Sequence, residues 1–256
     1  MNLLKPTVAL AICALTSTSV FAHNDQRYTE TVEKTFSANA NTQLQIENTN
    51  GKVEIEAWSK NEVLVTASIY SKDKEGRERV EVELSQRGNT IDIETHFAKQ
   101  FGWNNGGYAK VDFFINVPEH ISLDDVELNN GSLSIKGVTG TINASLNNGS
   151  MVATGLAGNT RVDSNNGSVK LSFSDELKDL TDVDVESQNG SITVYFPNSI
   201  DASIKAKSNN GSISNSFGLE VNKSRSNRRT LLGEIGSGTT KVNLSSNNGS
   251  IRIKNL

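Results

Sequence analysis

The sequence predicts an all-β fold: a β-solenoid-like or β-helix-like stack of strand pairs with Asn-Asn-Gly-Ser corners, behind a broader, partly antiparallel N-terminal sheet. Three observations predict it. A polar corner recurs along the chain, as in "LNNGS" at both 128–132 and 146–150. Apolar residues alternate with polar ones on both sides of each corner, the period of a strand. No sustained helical period follows the first 22 residues.

The chain opens with "MNLLKPTVALAICALTSTSVFA", which carries Lys5, an apolar run from Val8 to Leu15 and the small-residue ending "SVFA". That pattern predicts a signal peptide over residues 1–22, cut after Ala22. Lipoprotein processing at Cys13 is the alternative, and bulky Ile12 stands where a small residue is wanted. The apolar run is well short of the roughly 20 residues that span a bilayer. The rest of the chain carries no later span, so an exported protein is expected. The periplasm is the first compartment, with the cell surface or the exterior as alternatives. Cys13 is the single cysteine, so residues 23–256 form no disulfide and must hold together by burial and hydrogen bonding. The formal net charge of −4 gives no footprint for nucleic acid.

The N-terminal part reads as longer strands: "EVLVTASIYS", "ERVEVELSQ", "NTIDIETHF" and "KVDFFINVP", joined by charged or Gly-rich connectors. Together they predict a broad sheet over about 44–117 that closes one end of the repeat stack. The repeats occupy about 118–256, and the whole of 23–256 is expected to be one domain.

The corners align on Gly51, Gly131, Gly149, Gly167, Gly190, Gly211 and Gly249. From Gly131 the spacings are 18, 18, 23, 21 and 38 residues, a repetition that points to stacked units. Positions two and four after the glycine are apolar in most repeats, as in Leu133 and Ile135 or Val169 and Leu171. Ile213 is followed by Asn215 instead. An antiparallel meander is the alternative, because Asn-Gly is a strong hairpin signal. A hairpin, however, fixes only its own turn residues, whereas here the flanking Asn and Ser recur too. Stacked corners explain that recurrence through side-chain amide ladders. Glycine is then expected at positive φ, Gly149 included.

The order of parts resembles the bacterial putative-adhesin family, domain of unknown function 4097. The resemblance rests on "LQIENTNGKVEIEAWSKNEVLVTASI" with Gly51 and Trp58, then Val117-Pro118 leading into the repeats from Gly131. It implies a β-solenoid-like fold, an exported or envelope location and an adhesin-like domain over 23–256. It supplies no catalytic residues.

A direct search for chemistry agrees. His23, His96 and His120 lie far apart in the chain, with no paired metal-ligand spacing. No catalytic, cofactor-binding or metal-binding residue is assigned, and no cofactor is expected. Acidic stretches with Asp124 and Asp125, and with Asp175, Glu176, Asp179 and Asp182, match no calcium loop. The candidate binding residues are the loop aromatics Phe101, Trp103 and Tyr108, and the basic insertion Lys223, Arg225, Arg228 and Arg229. The expected function is a non-catalytic envelope or surface scaffold that binds an unknown envelope protein or glycan. A polysaccharide-active β-helix lyase or hydrolase is the alternative, and needs acids and bases gathered on one face.

Overall fold

The structure, a computed structural model, describes residues 28–98, 109–177, 179–224 and 228–256. The N-terminal part supplies β1 (Tyr28–Ser37), β2 (Gln43–Asn50), β3 (Val53–Trp58), β4 (Glu62–Ser71), a short helix α1 (Lys74–Glu78), β5 (Val80–Arg87), β6 (Thr90–Phe97) and β7 (Ala109–Pro118). Four strand pairs follow: β8 (Ser122–Asn130) with β9 (Leu133–Lys136), β10 (Ile142–Asn148) with β11 (Met151–Leu156), β12 (Thr160–Asn166) with β13 (Val169–Phe173), and β14 (Asp182–Asn189) with β15 (Ile192–Phe196). Then come β16 (Ala202–Asn210) and β17 (Ile213–Asn215), the hairpin β18 (Val221–Lys223) and β19 (Arg229–Ile235), and the final pair β20 (Thr240–Asn248) and β21 (Ile251–Asn255).

These strands form two large mixed sheets. One runs β1-β4-β7-β3-β9-β11-β13-β15-β21-β17, the other β18-β19-β16-β20-β14-β12-β10-β8-β2-β6-β5. The two strands flanking a corner lie in different sheets, so the corner carries the chain across rather than back. Strand β10 pairs in parallel with β8 and β12, and β11 in parallel with β9 and β13. A meander would pair β10 with β11 antiparallel, and these ladders do not.

The core lies between the sheets, where period two sends every second side chain. Leu133, Met151, Val169, Ile192, Ile251 and Ile213 are lateral neighbours in one sheet, and all are buried. Ile142, Val162, Val183 and Val242 are buried on the facing sheet. Phe173 stacks on Phe196 with ring centroids 5.0 Å apart. Each fully buried aliphatic side chain contributes about 1.5–3 kcal/mol of transfer free energy. With no disulfide available, this continuous apolar layer is the main cohesive term.

Three features depart from the sequence reading. Strand β1 lies upstream of the expected sheet, antiparallel on β4. Its "TETVEKTFS" run buries only Phe36, because an edge strand packs one neighbour and its charges discourage further pairing. The insertion around Lys223 is a hairpin, with β19 antiparallel on β16. Third, the last repeat does not stack last. Strand β20 lies between β14 and β16, and β21 between β15 and β17. The hairpin occupies the outer edge of β16, which leaves its inner edge for the returning chain.

The glycines require another correction. Gly149 is not at positive φ; among the corner glycines only Gly51 and Gly167 are. The reason for glycine is close approach. A Cβ on Gly149 would lie 1.5 Å from the Gly131 carbonyl oxygen, and one on Gly131 1.8 Å from that of Gly51. The same row continues through Gly167, Gly190, Gly249 and Gly211.

Candidate functional site: a polar trough beside the corners

The residue before each glycine projects an amide at the interstrand spacing of about 4.8 Å, and these amides connect. Asn130 Nδ2 donates to Asn50 Oδ1 at 3.1 Å, Asn148 to Asn130 at 3.1 Å, and Asn166 to Asn148 at 3.0 Å. Asn189 donates to Asn166, Asn248 to Asn189 and Asn210 to Asn248, at 3.0, 2.9 and 3.0 Å. One residue earlier a second ladder runs from Asn165 to Asn147 at 3.0 Å and from Asn147 to Asn129 at 2.8 Å. It resumes beyond Gln188 with Asn209 donating to Asn247 at 2.9 Å. Within the first ladder each interior amide donates one way and accepts the other, so the amide orientation is propagated along the row.

Two residues before this second ladder, on the same outward face, stand Glu47, Glu127, Ser145, Asp163, Glu186 and Ser245, lateral neighbours in that order. Amides and carboxylates together border an open trough. Its larger part, about 620 Å³, is lined by Asn147, Asp163, Asn165, Glu186, Gln188 and Asn247, among others. A second part of about 300 Å³ continues past Glu127 and Asn129 to Glu47. The two share Ser145 and Asn147.

Arg161 anchors the next row outward. Its guanidinium lies 3.4 Å from Asp163 and 3.2 Å from Asp184. Burial pushes the Asp184 carboxyl above the usual range, Arg161 pulls it down, and Asp182 and Asp163 push it up again. These carboxylates stand side by side on one sheet face, roughly perpendicular to it. The outer face of the other sheet is different: Lys170 and Lys254 flank the Tyr195 ring, 5.3 and 5.6 Å from its centroid.

Three of the expected binding residues lie on or beside the β18–β19 hairpin. Lys223 is exposed on β18, directly opposite Arg229 on β19. Arg229 turns inward, its guanidinium donating to the Gly211 carbonyl at the end of the glycine row. Arg228 is exposed beside it. Phe101, Trp103, Tyr108 and Arg225 lie outside the described residues, as do His23 and residues 1–22. His120 contacts Thr139 Oγ1 at 2.7 Å. His96 lies near the end of β6, beside edge strand β5, 3.2 Å from Glu94 and 3.8 Å from Glu83. Asp124 and Asp125 lie within β8 rather than in a loop. The trough was legible in outline, since position two before most of the glycines is Asn and position four is Glu, Asp or Ser. Its depth and continuity were not.

Residues 146–254 match the Toastrack family, domain of unknown function 4097. A "putative cell adhesion protein" from Clostridium sporogenes superposes on 88% of this chain and 99% of its own, with 21% identity and a TM-score of 0.50. Two further solved structures are more distant. A "putative adhesin" from Bacteroides fragilis is 16% identical, covering 88% of this chain and 97% of its own, with a TM-score of 0.33. A "putative adhesin" from Parabacteroides distasonis is 12% identical over 88% and 97%, with a TM-score of 0.26. No curated protein matches the chain. The Clostridium structure shows a shared fold, and the segment that matches the family model stacks its strands in parallel in a β-solenoid-like arrangement.

Proposed function

We propose that this protein is a non-catalytic, exported envelope or surface scaffold. Its Asn-Asn-Gly-Ser corners act as stacked rungs, and the trough beside them binds a glycan or an envelope partner. The observation that carries this reading is the regular row of amides and carboxylates along the trough. Each strand adds one equivalent set of donors and acceptors at a constant step. Such a surface suits a polymer with repeating hydroxyls or amides better than a single small molecule. The name of the Clostridium protein, which has this fold, accords with adhesion. The segment 1–22 serves in this reading as a signal peptide, residues 23–256 form the working domain, and the periplasm is its compartment.

The arrangement of acids weighs against a polysaccharide-cleaving enzyme. Glycoside hydrolysis needs two carboxyl groups flanking the scissile bond. Here Asp163, Asp184 and Glu186 rise from one face in parallel, and two of them are held by Arg161. The decisive experiment is a glycan and envelope-component binding screen, followed by Asn147→Ala and Asn165→Ala. Binding that both variants weaken, with no new reducing ends released from the polymer, is expected. Binding indifferent to both variants sinks the trough, and released reducing ends sink the non-catalytic reading.

A further inference from the structure

The trough ends at Glu47, and beyond it the same outer face carries a group that sequence spacing scatters. In the antiparallel ladder of β5 and β6, Glu83 stands directly opposite Glu94 and Glu81 opposite His96. Period two puts all four side chains on one face. Glu94 is in turn opposite Glu47 on β2, and Glu47 opposite Glu127 on β8. Four glutamates therefore lie in one lateral row on four adjacent strands. Like charges directly across a ladder are destabilising, and nearby Arg87 on this face is engaged by Asp92 at 3.1 Å. The row meets an imidazole at its end.

We propose that Glu83, Glu94 and His96 form a binding site for a first-row divalent cation, with zinc as the cognate class. One carboxylate oxygen from each glutamate and one ring nitrogen of His96 lie within 4.8 Å of one another. His96 Nε2 is 3.2 Å from Glu94 Oε2 and 3.8 Å from Glu83 Oε2. Two donors bound to one zinc at about 2.0–2.1 Å and tetrahedral angles lie about 3.3 Å apart. The three atoms thus need only small side-chain rotations to share one ion. Imidazole with carboxylates suits zinc, copper or nickel, while calcium prefers an all-oxygen set. The dication also neutralises the Glu83–Glu94 repulsion. The sheet fixes the spacing of the three side chains, so little backbone ordering accompanies binding. Three protein ligands leave positions open, at the end of the trough where Glu47 stands. This site stands on its own geometry and does not depend on what the trough binds.

The test is titration of the purified, chelator-treated full-length protein with zinc alone, read by calorimetry and by the His96 ring resonances. One equivalent is expected, with the His96 signals shifted. His96→Ala should weaken binding at least about tenfold, Glu83→Gln and Glu94→Gln should each weaken it, and His120→Ala should leave it unchanged. Because none of the three side chains is buried and the glutamate pair is repulsive, the metal-free variants should melt at or above the wild-type Tm. Zinc should bind at least about tenfold more tightly than calcium. Affinity unchanged in His96→Ala, loss of binding in His120→Ala, or equal zinc and calcium affinities would each overturn the site.

Discussion

Replacing Gly149 by alanine tests the packing of the corners most directly. The new methyl would lie 1.5 Å from the Gly131 carbonyl oxygen and 2.7 Å from its carbon. Ordinary contact needs about 3.4 Å, so the two strands must separate locally by about 2 Å. That opening stretches two backbone bonds that now measure 3.0 Å, Gly131 N–H to the Asn148 carbonyl and Leu133 N–H to that of Ser150. Losing two such bonds beside a packed core costs about 1–3 kcal/mol each, so a total of about 2–6 kcal/mol is expected. Gly88→Ala is the control. Gly88 sits at φ +62° with nothing near its missing Cβ, so its cost is conformational alone, about 1 kcal/mol. Urea unfolding gives both losses, and hydrogen exchange gives their reach. Because the methyl points at Gly131, protection should fall at residues 131–135 more than at 167–171. A Gly149→Ala loss no larger than that of Gly88→Ala, or one confined to residues 145–153, would refute close approach as the reason for glycine.

Other outcomes follow from the same geometry. Ser187 Oγ is buried with no hydrogen-bond partner among the described residues, whereas Ser246 Oγ donates to the Gly190 carbonyl at 3.1 Å. Chemical denaturation should show Ser187→Ala neutral or stabilising and Ser246→Ala destabilising by about 1 kcal/mol. Deleting residues 238–256 removes β20 and β21 from between their neighbours. Hydrogen exchange should then show residues 202–235 unprotected while 122–171 stay protected; intact protection at 202–235 would contradict the interleaved order. Asp184 has a raised folded pKa, so its protonated form favours the fold. That contribution is complete below the unfolded value of about 3.9 and is lost as pH rises through the folded value. Asp184→Asn should therefore raise Tm at pH 7, with the advantage vanishing toward pH 3. An advantage that grows on acidification would reverse the assignment.

The sequence by itself determined the all-β class, the corner positions and the inward stripe, because each is written in a short local period. Leu133, Met151 and Val169 are buried as their phase requires, and the resemblance to the family was legible in the order of parts. Tertiary structure decided the rest. Nothing local says that β20 inserts between β14 and β16, because any corner unit can stack on any other; the hairpin that occupies one edge of β16 makes the choice. Nothing local distinguishes a glycine needed for positive φ from one needed for room. The Gly149 requirement is set by a carbonyl 18 residues away, brought close only by parallel pairing. Glu83 and His96 likewise become neighbours through an antiparallel register. Sequence period fixes which way a side chain points, and register alone fixes what it meets.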